Sequence, residues 1–294
     1  MPEGPEVKRL VVQLQDILLE EELLEVTILT GRYTKKPPEG ISSFSSSLPK
    51  VVKDVSCKGK FIYIEFDSDD VIFTTLGMTG TWKTEANKYA RIKFRFELFD
   101  LYYCDMRNFG TIKFTNQKEL LKKLSSIGPD MLSNPCTLEE FHNLCNKHKG
   151  RSLVSFLMEQ TIISGVGNIY KSESMYLAGV HPSRKIGDLS FVERSKLYYS
   201  IIKVLNNSYR LGGATISNYT DMFNNEGQYT RFASNPKEIV AARNNTKFNH
   251  AQEEIEEMSG IMVYNQKVDP FGNPVIKIKL NDGRTTHYVP AIQQ

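Results

Sequence analysis

The sequence predicts an α+β chain of two domains: an antiparallel β-sandwich or barrel led by one helix, then a helical domain that ends in a β-hairpin. Three observations carry this. Short alternating or β-branched runs separated by turns fill residues 24–114, helical apolar spacing dominates residues 137–211, and an Asp282-Gly283 turn joins two strand-like runs near the C-terminus.

In chain order, Val7, Leu10, Val11, Leu14, Ile17 and Leu18 recur at helical spacing and predict an amphipathic helix over residues 6–20. Strand runs follow at 25–30, 51–56, 61–66, 71–75, 92–96, 101–104 and 111–114. Residues 35–47, rich in Pro, Gly and Ser, read as a mobile surface loop. A short helix over 116–124 closes the first domain, and residues 125–136, with Gly128-Pro129 and Asn134-Pro135, read as a linker. Thr137 and Glu140 form a capping box ahead of Phe141, Leu144 and Cys145. Further helices are expected over 153–159, 169–178 and 191–211. Gly165-Val166-Gly167-Asn168 is a glycine turn entering a helix, whose backbone amides and Asn168 suit a phosphate, although such a turn is by itself more often only a tight corner. Residues 232–260 are polar and read as an inserted loop, and strands over 275–280 and 285–289 place Arg284 at the hairpin tip. The expected domains are therefore 1–124, a linker at 125–136, 137–231, the insert at 232–260 and the hairpin at 261–294.

Composition narrows the class without naming a partner. The 294 residues are 40% hydrophobic and 24% charged with a net charge of +3, so any basic surface must be local. No apolar run approaches the roughly 18 residues of a membrane span, and the N-terminus lacks the order of a signal peptide, which predicts an unexported intracellular protein. Cys57, Cys104, Cys136 and Cys145 form no Cys-x-x-Cys pair, so reduced thiols are expected. His142, Cys145 and His148 step along one helix by threes, which sets the first and last about 120° apart, and the bland reading is a helix surface without a metal.

Met1-Pro2-Glu3-Gly4-Pro5-Glu6 holds the chemistry. Removal of Met1 leaves Pro2 as a secondary terminal amine, which titrates near ~8 against ~10.4 for a lysine and is unprotonated roughly a hundredfold more often at neutral pH. Such an amine attacks an electrophilic sugar carbon and forms an iminium, an electron sink for elimination, with Glu3 placed to move the proton. The bland alternative is a frayed terminus.

These features, together with Leu76-Gly77-Met78-Thr79-Gly80, Arg107-Asn108-Phe109-Gly110, Gly165-Val166-Gly167-Asn168-Ile169-Tyr170 and Gly179-Val180-His181-Pro182, resemble the formamidopyrimidine-DNA glycosylase and endonuclease VIII family over nearly the whole chain. The resemblance implies an N-terminal β-sandwich, a helix-two-turn-helix domain and a terminal finger. It implies an enzyme that flips an oxidised base from double-stranded DNA, excises it and nicks the strand by β,δ-elimination. Pro2 becomes the Schiff-base nucleophile, Glu3 the proton donor to the opening sugar and Glu6 a supporting carboxylate. Lys60, with Lys58 as the rival, reaches the lesion or its phosphate. Asn168 and Arg284 grip the flanking phosphates, while Met78 and Phe109 fill the hole left by the flipped base, beside Arg107 and Asn108.

Three departures stand out. Asn108 occupies a position where the family commonly has arginine, and Val154 one where it often has lysine. Four zinc-binding cysteines found in many relatives are absent from residues 269–292, so the run Asn281 to Pro290 resembles the zincless finger of plant, fungal and some other eukaryotic or viral members, held by Val275, Ile276, Ile278, Tyr288 and Val289 without a cofactor. The implied partner is DNA carrying oxidised bases or abasic sites, bound by a monomer that needs no membrane, in the nucleus if the source is eukaryotic. Formamidopyrimidines and oxidised pyrimidines lead the substrate class, and 8-oxoguanine depends on a capping loop between Gly212 and Met262. The rival function is a catalytically silent protein that holds damaged or abasic DNA.

Overall fold

The computed structural model describes residues 2–214, 220–231 and 260–294. They divide into two compact units, one of residues 2–127 with 220–227 and the other of 128–214 with 228–231 and 260–294.

The first unit is a β-sandwich. Helix α1 (Gly4–Leu18) leads into β1 (Glu22–Leu23), β2 (Glu25–Ile28), α2 (Ile41–Ser46), β3 (Lys50–Lys58), β4 (Phe61–Phe66), β5 (Asp70–Thr75), β6 (Gly80–Lys83), β7 (Ala90–Arg95), β8 (Asp100–Asp105), β9 (Thr111–Asn116) and α3 (Gln117–Ser126). One sheet has the order β1-β3-β4-β5-β9 and the other β2-β7-β8-β6, with every pairing antiparallel. Alternation decides the core. Val55, Ile62, Ile64, Phe66 and Ile72 of the first sheet meet Trp82, Ile92, Phe94, Leu101 and Tyr103 of the second, and the Val7, Leu10, Val11, Leu14 stripe of α1 joins them.

The supposed loop over 35–47 is corrected. Gly40 (φ +80°) turns the chain into α2, and Ile41 and Phe44 then enter the core, Phe44 edge-on to Phe66 with centroids 5.2 Å apart. The serines around them mask a two-residue apolar contact at helical spacing.

A second correction concerns residues 220–227, expected in the helical domain but packed in the sandwich unit. The buried Asp221 carboxylate accepts from Arg9 Nη2 at 2.7 Å, Gln13 Nε2 at 2.8 Å and the Asn225 amide at 2.8 Å. Met222 enters the sandwich core, and Lys83 Nζ donates to Thr220 Oγ1 at 3.0 Å. Burial pushes the Asp221 carboxyl up, but hydrogen bonds from Gln13 and Asn225 with the Arg9 charge win and hold it low. The insert expected at 232–260 lies, up to residue 259, outside the described residues.

The second unit contains α4 (Leu138–Lys147), α5 (Leu153–Met158), α6 (Asn168–Ala178) and α7 (Phe191–Arg210), then the hairpin β10 (Ile276–Lys279) and β11 (Thr285–Tyr288). The Thr137–Glu140 capping box forms as expected. His142 and Cys145 are buried rather than on a helix surface: the imidazole stacks on Phe191 with centroids 4.1 Å apart and meets Ser195 Oγ at 3.1 Å, and burial pushes the Cys145 thiol up to about 12. Among the described residues no group of three or more metal-ligating side chains occurs.

Candidate active site

Pro2 and Glu3 begin α1. Glu3 is its N-cap in extended backbone, with Pro5 inside the first turn, where a missing amide costs nothing. The Glu3 amide donates to Glu6 Oε2 at 2.8 Å, and the Glu3 carboxylate takes the Glu6 amide in return. This capping box does two things: it fixes the direction in which the chain leaves the helix, and it holds two carboxylates at the positive end of the helix dipole. Pro2 is buried, and the carboxylate residues Glu3 and Glu6 are 1% and 2% exposed. Lys60 stands half-buried in the turn between β3 and β4, where Gly59 (φ +59°) reverses the chain. The rival Lys58 is engaged elsewhere, its Nζ donating to the Leu124 carbonyl at 2.9 Å.

Two turns at the ends of the strands carry Met78, Arg107, Asn108 and Phe109. Asp105, buried, ties them together: it accepts from Thr79 Oγ1 at 2.5 Å, the Arg107 amide at 3.2 Å and the Gly110 amide at 2.8 Å. Arg91 braces the same loop from below, Nε to the Asp105 carbonyl at 2.8 Å. The turns press so closely that a Cβ on Gly77 would lie 2.6 Å from the Gly110 amide, and one on Gly110 would lie 1.9 Å from the Tyr103 hydroxyl. On this platform Met78 and Phe109 are exposed by 39% and 54%. The Arg107 guanidinium lies 4.7 Å from the Phe109 centroid and 3.2 Å from Met78 Sδ, making one projecting cluster. Asn108 does not join it. Its backbone is left-handed (φ +53°), and its side-chain oxygen is buried without a hydrogen-bond partner on the side of Gly31.

In the second unit α6 acts as a template for the hairpin. Asn168 Nδ2 donates to the Thr285 carbonyl at 3.1 Å, beside exposed Arg284. One turn further, the fully buried Lys171 ammonium pairs with Asp282, whose other oxygen takes the Arg284 amide at 3.1 Å. Glu173 receives the amides of Met262, Val263 and Tyr264 at 2.8, 3.0 and 2.7 Å. Desolvation nonetheless dominates and pushes its carboxyl up to about 7. The Tyr176 hydroxyl donates to Asp269 Oδ2 at 3.1 Å. His287 sits in this layer, pushed down to about 4 by burial and by Lys277 and Lys171.

The finger is held by hydrogen bonds and apolar packing. Asp269 spends its carboxylate on the Phe271 amide, the Asn273 amide and side chain, and Tyr176, while Val289 and Ile292 pack in an apolar cluster with Met262 and Val263. Two of the expected supports differ: Ile276 is 44% exposed and Ile278 half-buried, so the hairpin is held from Val289 and Val275 rather than from both faces. Val154, where a lysine was expected from relatives, is buried in the helical core.

The sequence singled out Pro2, Glu3, Glu6, Lys60, Met78, Arg107, Asn108, Phe109, Asn168 and Arg284. It missed Asp105, Lys171, Asp282, Glu173 and Asp269. Only Asp269 and Asp282 had a local signal, since Asp before a Gly-containing turn caps its own backbone.

Three family models match the chain: the formamidopyrimidine-DNA glycosylase N-terminal domain over residues 1–112, its H2TH domain over 127–220 and its C-terminal domain over 256–294. The formamidopyrimidine-DNA glycosylase of Mycoplasma mobile is 30% identical over 79% of this chain and 86% of its own length. That of Listeria innocua is 28% identical across the whole of both chains. Among solved structures, a Lactococcus lactis Fpg variant bound to Fapy-dG DNA has a TM-score of 0.80 at 25% identity, covering 100% of each chain. The Lactococcus lactis Fpg bound to DNA with an abasic site has a TM-score of 0.79 at 24% identity over 99% of each.

Proposed function

The chain belongs to the formamidopyrimidine-DNA glycosylase family, and from that membership we infer that it is a DNA glycosylase and abasic-site lyase of base excision repair. The observation that carries the mechanism is the burial of Pro2 at the start of α1 beside two buried carboxylates, Glu3 and Glu6. A terminal proline nitrogen there attacks C1′ of the damaged nucleotide as the bond to the base breaks. The nitrogen gives up its proton to the Glu3 carboxylate, which passes it to the ring oxygen; the sugar opens, and the nitrogen is left as an iminium. Loss of a C2′ proton then expels the 3′ phosphate, a second elimination expels the 5′ phosphate, and water releases the amine.

In the same unit Lys60 reaches the lesion or its phosphate and Met78 with Phe109 fills the stack, while Asn168 and Arg284 of the second unit hold phosphates of the same DNA. Asn168 gains its role from α6, whose N-terminal dipole end favours an anion. Formamidopyrimidines and abasic sites lead the substrate class because the named relatives act on or were captured with them, and oxidised pyrimidines follow. The enzyme works as a monomer, without zinc, in the compartment that holds the DNA.

Borohydride reduction of a reaction on abasic or formamidopyrimidine DNA tests the mechanism. The expected product is a covalent adduct whose proteolytic map places the DNA on the Pro2 nitrogen of protein lacking Met1. An N-terminal extension abolishes the adduct, and Pro2→Gly weakens it while keeping an amine. A Met1-free protein that binds such DNA and yields no adduct is instead the silent binder.

A further inference from the structure

The sandwich unit has a second feature that the excision chemistry does not use. Only part of the outer face of its five-stranded sheet is covered by α3, through Leu120 and Leu124 over Val71, Phe61 and Tyr63. Beyond that cover the face opens into a groove of about 500 Å³, within the ~300–1,000 Å³ typical of small-molecule sites. The pair Phe73↔Lys113 lies in its floor, with Thr75↔Thr111 in the next outward-facing row, and Lys36 and Pro38 form one wall. Phe61 stands edge-on to Phe73, centroids 4.9 Å apart.

We propose that this groove is an accessory subsite for one unstacked nucleotide of the bound DNA strand, with the base against Phe73 and the phosphate on the lysine rim. The proposal rests on the DNA-repair reading above. Charge selects the occupant: Arg32, Lys36, Lys113 and Lys123 line the groove against a single carboxylate, Glu39, which pairs with Lys113 at 2.9 Å. A flat apolar floor under a cationic rim fits a planar base carrying a phosphate and disfavours cations and acidic-poor peptides. Position selects the source. Arg32 Nη2 donates to the Gly110 carbonyl at 2.5 Å, and Gly110 follows the projecting Phe109. Thr75 Oγ1 meets Thr111 Oγ1 at 2.8 Å, immediately before the turn that carries Met78. The groove therefore begins where the two wedge turns leave the sheet, and a strand unstacked by the wedge has its next nucleotide beside an aromatic platform. Stacking there would hold the kinked strand open and favour substrates already single-stranded next to the lesion.

Photocrosslinking tests this on the full chain. 5-Iodouridine is placed one to four nucleotides to either side of an abasic site, the complex is fixed with borohydride, and irradiation is followed by peptide mapping. The expected result is a crosslink to the peptide containing Phe73 at one or two probe positions, lost in Phe73→Leu while the borohydride adduct persists. Because Phe73→Leu can disturb the sheet, the exposed pair Lys36→Glu and Lys123→Glu gives a second reading. That variant should bind a single-stranded oligonucleotide on the order of tenfold more weakly, with the log-affinity against log-salt slope shallower by about 0.7, the value of one single-strand phosphate contact. No crosslink to strands β4 or β5 at any probe position, or an unchanged salt slope, overturns the proposal. Labelling of Phe73 by free 5-iodouridine monophosphate, with none from the oligonucleotide, also overturns it in favour of a mononucleotide site. If no borohydride adduct forms, the lyase reading fails by itself, and crosslinking of the non-covalent complex still decides the groove.

Discussion

Asn108 combines two local costs: a left-handed backbone and a buried amide oxygen with no partner. A residue that reads the base opposite the lesion needs its polar atoms at the surface, and here Arg107 has them, held over Phe109 and against Met78. We propose Arg107 as the reader of the base opposite the lesion, with Asn108 serving the turn. Glycine suits the same turn without either cost, so Asn108→Gly should stabilise the protein by up to about 1 kcal/mol, read as a higher Tm, and leave lesion excision opposite each base unchanged. Arg107→Ala should instead level the rates opposite the four bases. A change of opposite-base preference in Asn108→Gly together with none in Arg107→Ala would reverse the assignment.

At the scale of elements, α6 is the support on which the terminal hairpin rests. Its side chains at 168, 171, 172, 173 and 176 reach the finger at successive points, and both members of the Lys171–Asp282 ion pair are buried, with side chains 0% and 4% exposed. Removing Asp282 takes the counter-charge from the buried Lys171 ammonium. Asp282→Asn should therefore cost roughly 3–5 kcal/mol in urea denaturation, far beyond a surface pair, whereas Lys171→Met with Asp282→Leu should recover most of it. The double variant still lacks the oxygen that holds the Arg284 amide, so its DNA affinity should stay low after its stability returns. A loss under 1 kcal/mol in Asp282→Asn would show the pair to be solvated. None of this was legible from the sequence, because Lys171 and Asp282 lie 111 residues apart and each alone looks like a surface charge. By contrast α1, the longer strands and the Thr137 capping box were legible, since their signals are periodic and local. Helix α2 failed for the opposite reason: Ile41 and Phe44 are its only apolar residues, set among serines after Pro37-Pro38. Strands β1 and β6, two and four residues long, are too short to show a period.

For the whole molecule, the candidate residues could be named because the family spreads short motifs over both units, while the buried Asp105, Glu173 and Asp221 reach partners at Thr79, Met262 and Gln13, which lie 26, 89 and 208 residues away. A net charge of +3 on 294 residues is too small to draw DNA to the surface at large, so affinity must come from a few placed cations. Each cation that touches a phosphate releases counterions, and the slope of log affinity against log salt counts them at about 0.9 per contact on duplex DNA. Arg284 is exposed and oriented by two anchors, Asp282 on its amide and Asn168 on the adjoining carbonyl, so little ordering remains when it meets a phosphate. Arg284→Ala should make the slope shallower by about 0.9 and weaken abasic-site and undamaged duplexes by similar factors, because a phosphate contact carries no sequence information. At saturating DNA the variant should still form the borohydride adduct, since the amine and its carboxylates lie in the other unit. An unchanged slope in Arg284→Ala would remove the hairpin tip from the DNA interface and leave the phosphate grip to Asn168 and the amides of α6.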